Sequence, residues 1–339
     1  MRRGNSIAAI LAVWLVSLTS FSAAWTISSR ELVDLQFARD DSLVILVSAP
    51  AATKPGVYLW RLDQETPLLV CELYSPIAFS FDRKLVIERV AGTPPELRIY
   101  DATTCRLTAR LNFEGVLLDA DARGAQIALA VRLADGERRL QLYSKRGRML
   151  ADTEIGRNVE MGFAPDGRSL VNFDLSDSGA AAWKIPALSP FKLPHWIADG
   201  ETTFVAGSGF VKRYRSLGGD DAKPGETLTI VRWPGGEALY KVNAPSSVRL
   251  RQLSRTGRFG MLHTSGSSAE SLEQIDFVTQ KRVKLVSGNI DHASVSFDGR
   301  YVAWALRSGN NDDLVQLQRA QVDSSGGVVS VSRPSNARR

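Results

Sequence analysis

Short apolar runs alternate along this chain with polar, turn-forming clusters, most clearly in Phe163-Ala164-Pro165-Asp166-Gly167-Arg168-Ser169-Leu170-Val171. This stretch reads as strand, two-residue turn, strand. Asp-Gly between strand formers is a strong hairpin signal, because Gly tolerates the positive φ that a tight turn demands. Six worn copies follow the same plan: Phe37-Ala38-Arg39-Asp40-Asp41, Phe79-Ser80-Phe81-Asp82-Arg83, Asp121-Ala122-Arg123-Gly124, Trp196-Ile197-Ala198-Asp199-Gly200, Leu253-Ser254-Arg255-Thr256-Gly257 and Val295-Ser296-Phe297-Asp298-Gly299. Each is followed by an apolar run.

The residues in the Gly slot stand at 41, 83, 124, 167, 200, 257 and 299, so four of the six spacings lie between 41 and 43, and the other two are 33 and 57. A second marker keeps the same register, an aromatic closing a short strand at Trp60, Tyr100, Tyr143, Trp183, Trp233 and Phe277. Four short strands per unit of about 40 to 45 residues is the signature of a propeller blade. The expected fold is therefore all-β, a seven-bladed β-propeller of four-stranded antiparallel blades. The strand before each turn is expected innermost. The strand after it, such as Leu43-Val44-Ile45-Leu46-Val47, is apolar throughout because neighbouring blades cover both its faces.

The repeated Phe-Ser-Pro-Asp-Gly-Arg-like turn with its downstream aromatic resembles the WD-repeat and TolB-like propeller families, from about Leu32 to Val331. The resemblance implies architecture, not activity, because these families serve unrelated roles on one scaffold. The Gly-His pair that opens WD repeats is missing, and Asp follows the aromatic only in Tyr100-Asp101.

Two units break the period. In the fourth, Pro186, Pro190 and Pro194 predict a short or absent outer strand, since proline cannot donate to a ladder. That edge is either blunted against aggregation or left as a groove for a partner strand. In the fifth, the extra residues lie within 207–227 and predict a hairpin arm projecting from the ring, carrying Lys212, Arg213, Tyr214, Arg215, Asp220 and Asp221. The connections between second and third strands vary in length and are polar, so a protein partner is expected on that face, with the arm as its anchor. Ring closure is open to Trp25-Thr26-Ile27-Ser28, to Val328-Val329-Ser330-Val331, or to both.

Residues 1–24 stand apart: Arg2 and Arg3, an apolar run from Ile7 to Leu18, then Ser22-Ala23-Ala24. This is the pattern of a secretory signal peptide, so residues 25–332 are expected as an exported propeller, periplasmic or secreted, with 333–339 a disordered basic tail. No second stretch is long and apolar enough to span a membrane. Without the leader, 40 basic face 36 acidic residues. That mild, dispersed excess does not point to nucleic acid.

No phosphate loop, zinc-protease helix, nucleophile elbow or Cys-x-x-Cys pair occurs, and no cofactor is implied. His195, His263 and His292 are expected toward one end of the ring, with Asp34 and Glu160 at the same mouth as His292. Cys71 and Cys105, placed on outer strands toward opposite ends, are expected unpaired. Two function classes fit. One is a non-catalytic protein-binding scaffold or accessory subunit of the cell envelope; the alternative is a hydrolase- or lyase-type enzyme with a metal or acid site at the channel mouth.

Overall fold

The computed structural model describes residues 22–320, apart from 29–30, 39, 49–52, 157–160, 173–181, 199–200, 206–207, 217–225, 246, 267–269 and 308–311. Seven four-stranded antiparallel sheets form a ring. The first strand of the chain, β1 (Ser22–Ser28), belongs to the last blade. Blade one holds β2 (Leu32–Phe37), β3 (Leu43–Val47), β4 (Gly56–Trp60) and β5 (Leu68–Glu72). Blade two holds β6 (Pro76–Phe79), β7 (Leu85–Val90), β8 (Glu96–Asp101) and β9 (Leu107–Asn112). Blade three holds β10 (Val116–Arg123), β11 (Gln126–Arg132), β12 (Arg138–Ser144) and β13 (Met149–Glu154). Blade four holds β14 (Met161–Phe163), β15 (Ser169–Asn172), β16 (Ala182–Lys184) and β17 (Ser189–Phe191). A short 3-10 helix, His195–Ala198, leads to blade five: β18 (Glu201–Phe204), β19 (Phe210–Ser216), β20 (Glu226–Arg232) and β21 (Ala238–Ala244). Blade six holds β22 (Val248–Leu253), β23 (Phe259–Thr264), β24 (Ser271–Asp276) and β25 (Lys281–Ser287). Blade seven holds β26 (Ile290–Val295), β27 (Tyr301–Arg307) and β28 (Asp312–Arg319), with β1 outermost.

Each blade buries its middle against its neighbours. All five residues of β3 are buried, and the apolar clusters span adjacent blades, as where Ile87, Leu97 and Leu111 of blade two pack with Ile127, Leu129 and Val131 of blade three. Lone four-stranded sheets would leave these faces in water; stacking covers them.

The turns of blades two, four, five, six and seven share one geometry. In blade four the Ala164 N–H donates to Ser169 O (2.9 Å) and the Gly167 N–H to Ala164 O (2.8 Å), and blades six and seven repeat both bonds. The Gly slot has positive φ, 66° at Gly167, which is why glycine recurs there. At Gly167 a Cβ would also stand 3.1 Å from the Arg123 guanidinium.

The fifth turn lies elsewhere than the sequence suggests. Trp196-Ile197-Ala198 belongs to the 3-10 helix, and Asp199 lies outside the described residues. The first and second strands of blade five are joined instead after Val205. There the Val205 N–H donates to Phe210 O (3.1 Å) and the Ser208 N–H to Val205 O (3.2 Å), the same two bonds. With Ser208 in the slot, the spacings of 33 and 57 become 41 and 49. The projecting arm is corrected with it: Phe210–Ser216 is the second strand of the blade, hydrogen-bonded on both sides. The extra length falls in residues 217–225, between the second and third strands and outside the described residues, as are Asp220 and Asp221.

The outer strand of blade four is present but only three residues long, with Pro190 at its centre. The ring closes through β1, which pairs antiparallel with β28 from Ser22↔Gln318 to Ser28↔Asp312. Removal of residues 1–24 would leave Trp25–Ser28 to hold that edge. Val328–Val331 and the tail lie outside the described residues.

The cysteines also depart from expectation, since Cys71 and Cys105 form a disulfide with Cα atoms 5.5 Å apart. Cys105 is not on an outer strand. It sits in the turn between β8 and β9, and that turn leans into the seam against Cys71, alongside Val86 and Ala102.

Candidate functional site

Two faces flank the ring. One carries the first-to-second turns, five residues long in six blades and two in blade three; the opposite face carries the second-to-third connections, four to nine residues long. The inner strands run from this loop face toward the turn face, around a central channel.

Near the loop-face mouth the register slips in five of these strands. The shifts fall between Leu32 and Asp34, Pro76 and Ala78, Leu117 and Asp119, Leu250 and Gln252, and Ile290 and His292. A bulge leaves one residue unpaired and re-aims it. The extruded residues are Val33, Ile77, Leu118, Arg251 and Asp291. The charged pair stays within its own blades, Arg251 on His263 Nδ1 (3.1 Å) and Asp291 in an ion pair with Arg307. The apolar three line one cavity of about 490 Å³ between blades one and four. Tyr74 and Val116, at the loop-face ends of blades two and three, extend that apolar lip: Tyr74 is 75% exposed, Val116 49%, and Ile77 and Leu118 37% each.

Beneath the lip the cavity is acidic. Asp34 forms an ion pair with Arg83, accepts the Leu35 N–H (2.7 Å), and lies 3.7 Å from His292 Nδ1. Burial works against its charge, but Arg83 and His292 together hold its carboxyl below the usual range. Asp119 accepts the N–H groups of Met161 (2.7 Å) and Ala120 (2.8 Å). Asp121 joins three blades, accepting the N–H groups of Phe81, Ala122 and Phe163, each at 2.7 Å. Burial pushes its carboxyl up to about 7 despite these donors, and the nearby charge of Asp82 adds to the rise. Asp119 and Asp121 are engaged with backbone, so they act first as structural clasps.

The histidines do not converge. His292 joins Asp34 as expected. His263 is buried on β23 between Arg251 and Glu270 (3.3 Å), and His195 lies on the 3-10 helix. Glu160 is outside the described residues. Among the described residues no group of three His, Cys, Asp or Glu side chains is placed to hold a metal ion.

Of the residues expected to anchor a partner, Lys212, Arg213 and Tyr214 make bonds within the ring. The Lys212 ammonium donates to Leu250 O (3.0 Å), and the Tyr214 hydroxyl accepts the Leu250 N–H. Tyr214 is 3% exposed, so its ring cannot present itself to another molecule. Arg213 donates to Trp196 O (3.2 Å), and the Arg215 backbone stands opposite Thr227 in the ladder. Alternating basic and apolar residues marked a strand whose Lys212 and Tyr214 side chains tie blade five to blade six.

Sequence reasoning did not single out Ile77, Leu118, Asp119 or Asp121. The one visible trace is Val116-Leu117-Leu118, three apolar residues in a row where an inner strand should alternate.

No protein-family model matches the chain, and no curated protein matches it. Among solved structures, it resembles the oligogalacturonate lyase from Vibrio parahaemolyticus at 11% identity and TM-score 0.59, over 86% of this chain and 91% of that one. An oligogalacturonate lyase in complex with manganese gives TM-score 0.58 at 11% identity, over 88% and 91%. A chain from a mitotic checkpoint complex gives 0.49 at 12% identity, over 86% and 93%. At such identities the likeness is one of architecture alone: the chain is a seven-bladed β-propeller.

Proposed function

We propose that this protein is an exported, non-catalytic scaffold that binds another protein of the cell envelope on its loop face. The observation that carries the reading is the apolar lip of Tyr74, Ile77, Val116 and Leu118 at the mouth of the channel. Large apolar side chains gathered at one exposed place mark interaction sites, whereas singly scattered ones do not. Two of the four are extruded by bulges, devices that re-aim side chains where function needs them. The acids below favour binding over catalysis, because Asp119 and Asp121 are committed to backbone N–H groups.

Export is supported by the leader-like residues 1–24 and by the Cys71–Cys105 bridge, a bond that persists in oxidising compartments. The test is affinity capture from the native envelope with the wild-type chain and with Tyr74→Asp/Leu118→Asp. The expected outcome is one stoichiometric partner held by the wild type and lost by the variant, with thermal unfolding unchanged. A partner retained by the variant would move the site off the lip.

The second reading is an enzyme. It is favoured by one observation, the Asp34 carboxylate at the cavity with the Arg83 guanidinium and the His292 imidazole both beside it. Stoichiometric metal in the purified protein, lost in His292→Ala, would turn the assignment toward it.

A further inference from the structure

The turn face is flat, because its first-to-second turns are short and uniform, and the third-to-fourth turns of blades two to four have only four or five residues. Its charge is uneven. Arg106 stands in the β8–β9 turn, Lys145, Arg146 and Arg148 in the β12–β13 turn, Arg168 in the β14–β15 turn and Lys184 at the end of β16; all six are exposed, and none has an ion-pair partner among the described residues. Blade three has no acidic residue in either of its turns on this face. The acids in the turns of blades two to four on this face are used locally: Asp82 accepts the Ser80 hydroxyl (2.9 Å) and the Lys84 N–H (3.2 Å). Asp101 accepts the N–H and hydroxyl groups of Thr103 and Thr104 in its own turn, and Asp166 accepts the Arg168 N–H (2.9 Å) and Trp233 Nε1–H (3.1 Å). Elsewhere on this face Arg258 is paired with Asp276 and Arg300 with Asp298.

Beside the cations, Met149 and Leu150 open the outer strand of blade three at 46% and 40% exposure. We propose that this sector of the turn face, across blades two to four, docks on an anionic lipid bilayer. Six cations on a flat face reach a planar layer of headgroups together, which a single acidic peptide could not span as well. A cluster of this size falls within the range that holds proteins to anionic leaflets. The aliphatic pair among the cations supplies what an interfacial contact needs, apolar atoms at the depth of the headgroup boundary. This surface lies on the opposite side of the ring from the proposed partner site, so the two can be occupied at once, and neither depends on the other.

The full chain, freed of its leader, is mixed with sedimenting vesicles of phosphatidylcholine with and without phosphatidylglycerol. It is expected to bind only the anionic vesicles, and to be released by raised salt. Lys145→Ala/Arg146→Ala/Arg148→Ala should lower partitioning at least about ten-fold. Lys54→Ala/Arg89→Ala/Arg132→Ala, an equal charge change on the loop face, should leave it unchanged. Should the first triple variant unfold, Arg146→Glu alone must show the same direction. Equal binding to neutral vesicles, or equal loss from the two triple variants, overturns the proposal. Retention on immobilised polyglutamate without any vesicle binding overturns it in favour of an acidic protein.

Discussion

Blades three and four stand side by side and are built on different scales. The outer strand of blade three has six residues and that of blade four only three, with a proline at its centre. A ladder that short carries few backbone bonds, and isolated it would not hold. Blade four is instead hung on its neighbour. Side chains at alternate positions of a strand share one face, and along β10 those of Asp119, Asp121 and Arg123 reach in turn the Met161 N–H, the Phe163 N–H, and the carbonyls of Ala164 and Pro165. The N–H groups at both ends of β14, those of Met161 and Phe163, are thus hydrogen-bonded by side chains of blade three. In a ring the strength of a unit need not reside in the unit.

The most damaging test is Asp121→Ala. It removes the acceptor of three N–H groups, and each buried donor left unpaired costs about 1–3 kcal/mol. Chemical denaturation should show a loss of at least ~3 kcal/mol. Hydrogen exchange at Met161–Phe163 should quicken before exchange in β11. If both blades open together, blade four does not depend on blade three as described.

A smaller effect follows from acidity. The carboxyl of Asp121 is raised from 3.8 to about 7 in the folded chain by burial. A folded value above the unfolded one contributes stability that is full below the unfolded value and is lost as pH rises through the folded one. Between pH 5 and pH 7 the wild type should therefore lose about 2 kcal/mol. The charged groups at the same cavity are Asp34, Arg83, Asp119 and Asp82. Asp121→Asn removes the titration, so a slope in urea midpoint that survives the change would assign it to one of those neighbours.

The mildest test is Arg123→Ala, which removes the bonds to the Ala164 and Pro165 carbonyls; the buried Ala164 O still accepts the Gly167 N–H, so the change should cost ~1 kcal/mol. The loss should appear as faster exchange at the 164–169 turn and nowhere in blade three. A global effect would mean that Arg123 supports its own blade.

The period, the seven blades and the apolar second strands were legible because turns and burial are local properties. Asp166-Gly167 states its turn in two residues, and the run 43–47 states its burial in five. Blade five misled because its turn rests on Ser208, without an Asp-Gly, while a decoy Asp199-Gly200 stood nearby. The site was less legible, for a physical reason. What makes Asp121 matter is the meeting of two distant backbone N–H groups, that of Phe81 40 residues before it and that of Phe163 42 residues after it, and nothing in its own neighbourhood announces them. Ile77 and Leu118 look like ordinary strand residues until a bulge turns them outward. Lys212 and Tyr214 look like surface residues until blade six arrives to use them.

The pairing of β1 with β28 has a consequence for how the molecule is made. The strand that completes the last blade is synthesised before the others, and its partner almost 300 residues later. During synthesis β1 must therefore wait unpaired while six blades assemble, and only the arrival of Asp312–Arg319 gives it an edge to join. A chain moving through a pore would present its latch first and its keeper last. The circle shuts in one final step, and a chain halted short of β28 is left an open arc with both end blades exposed.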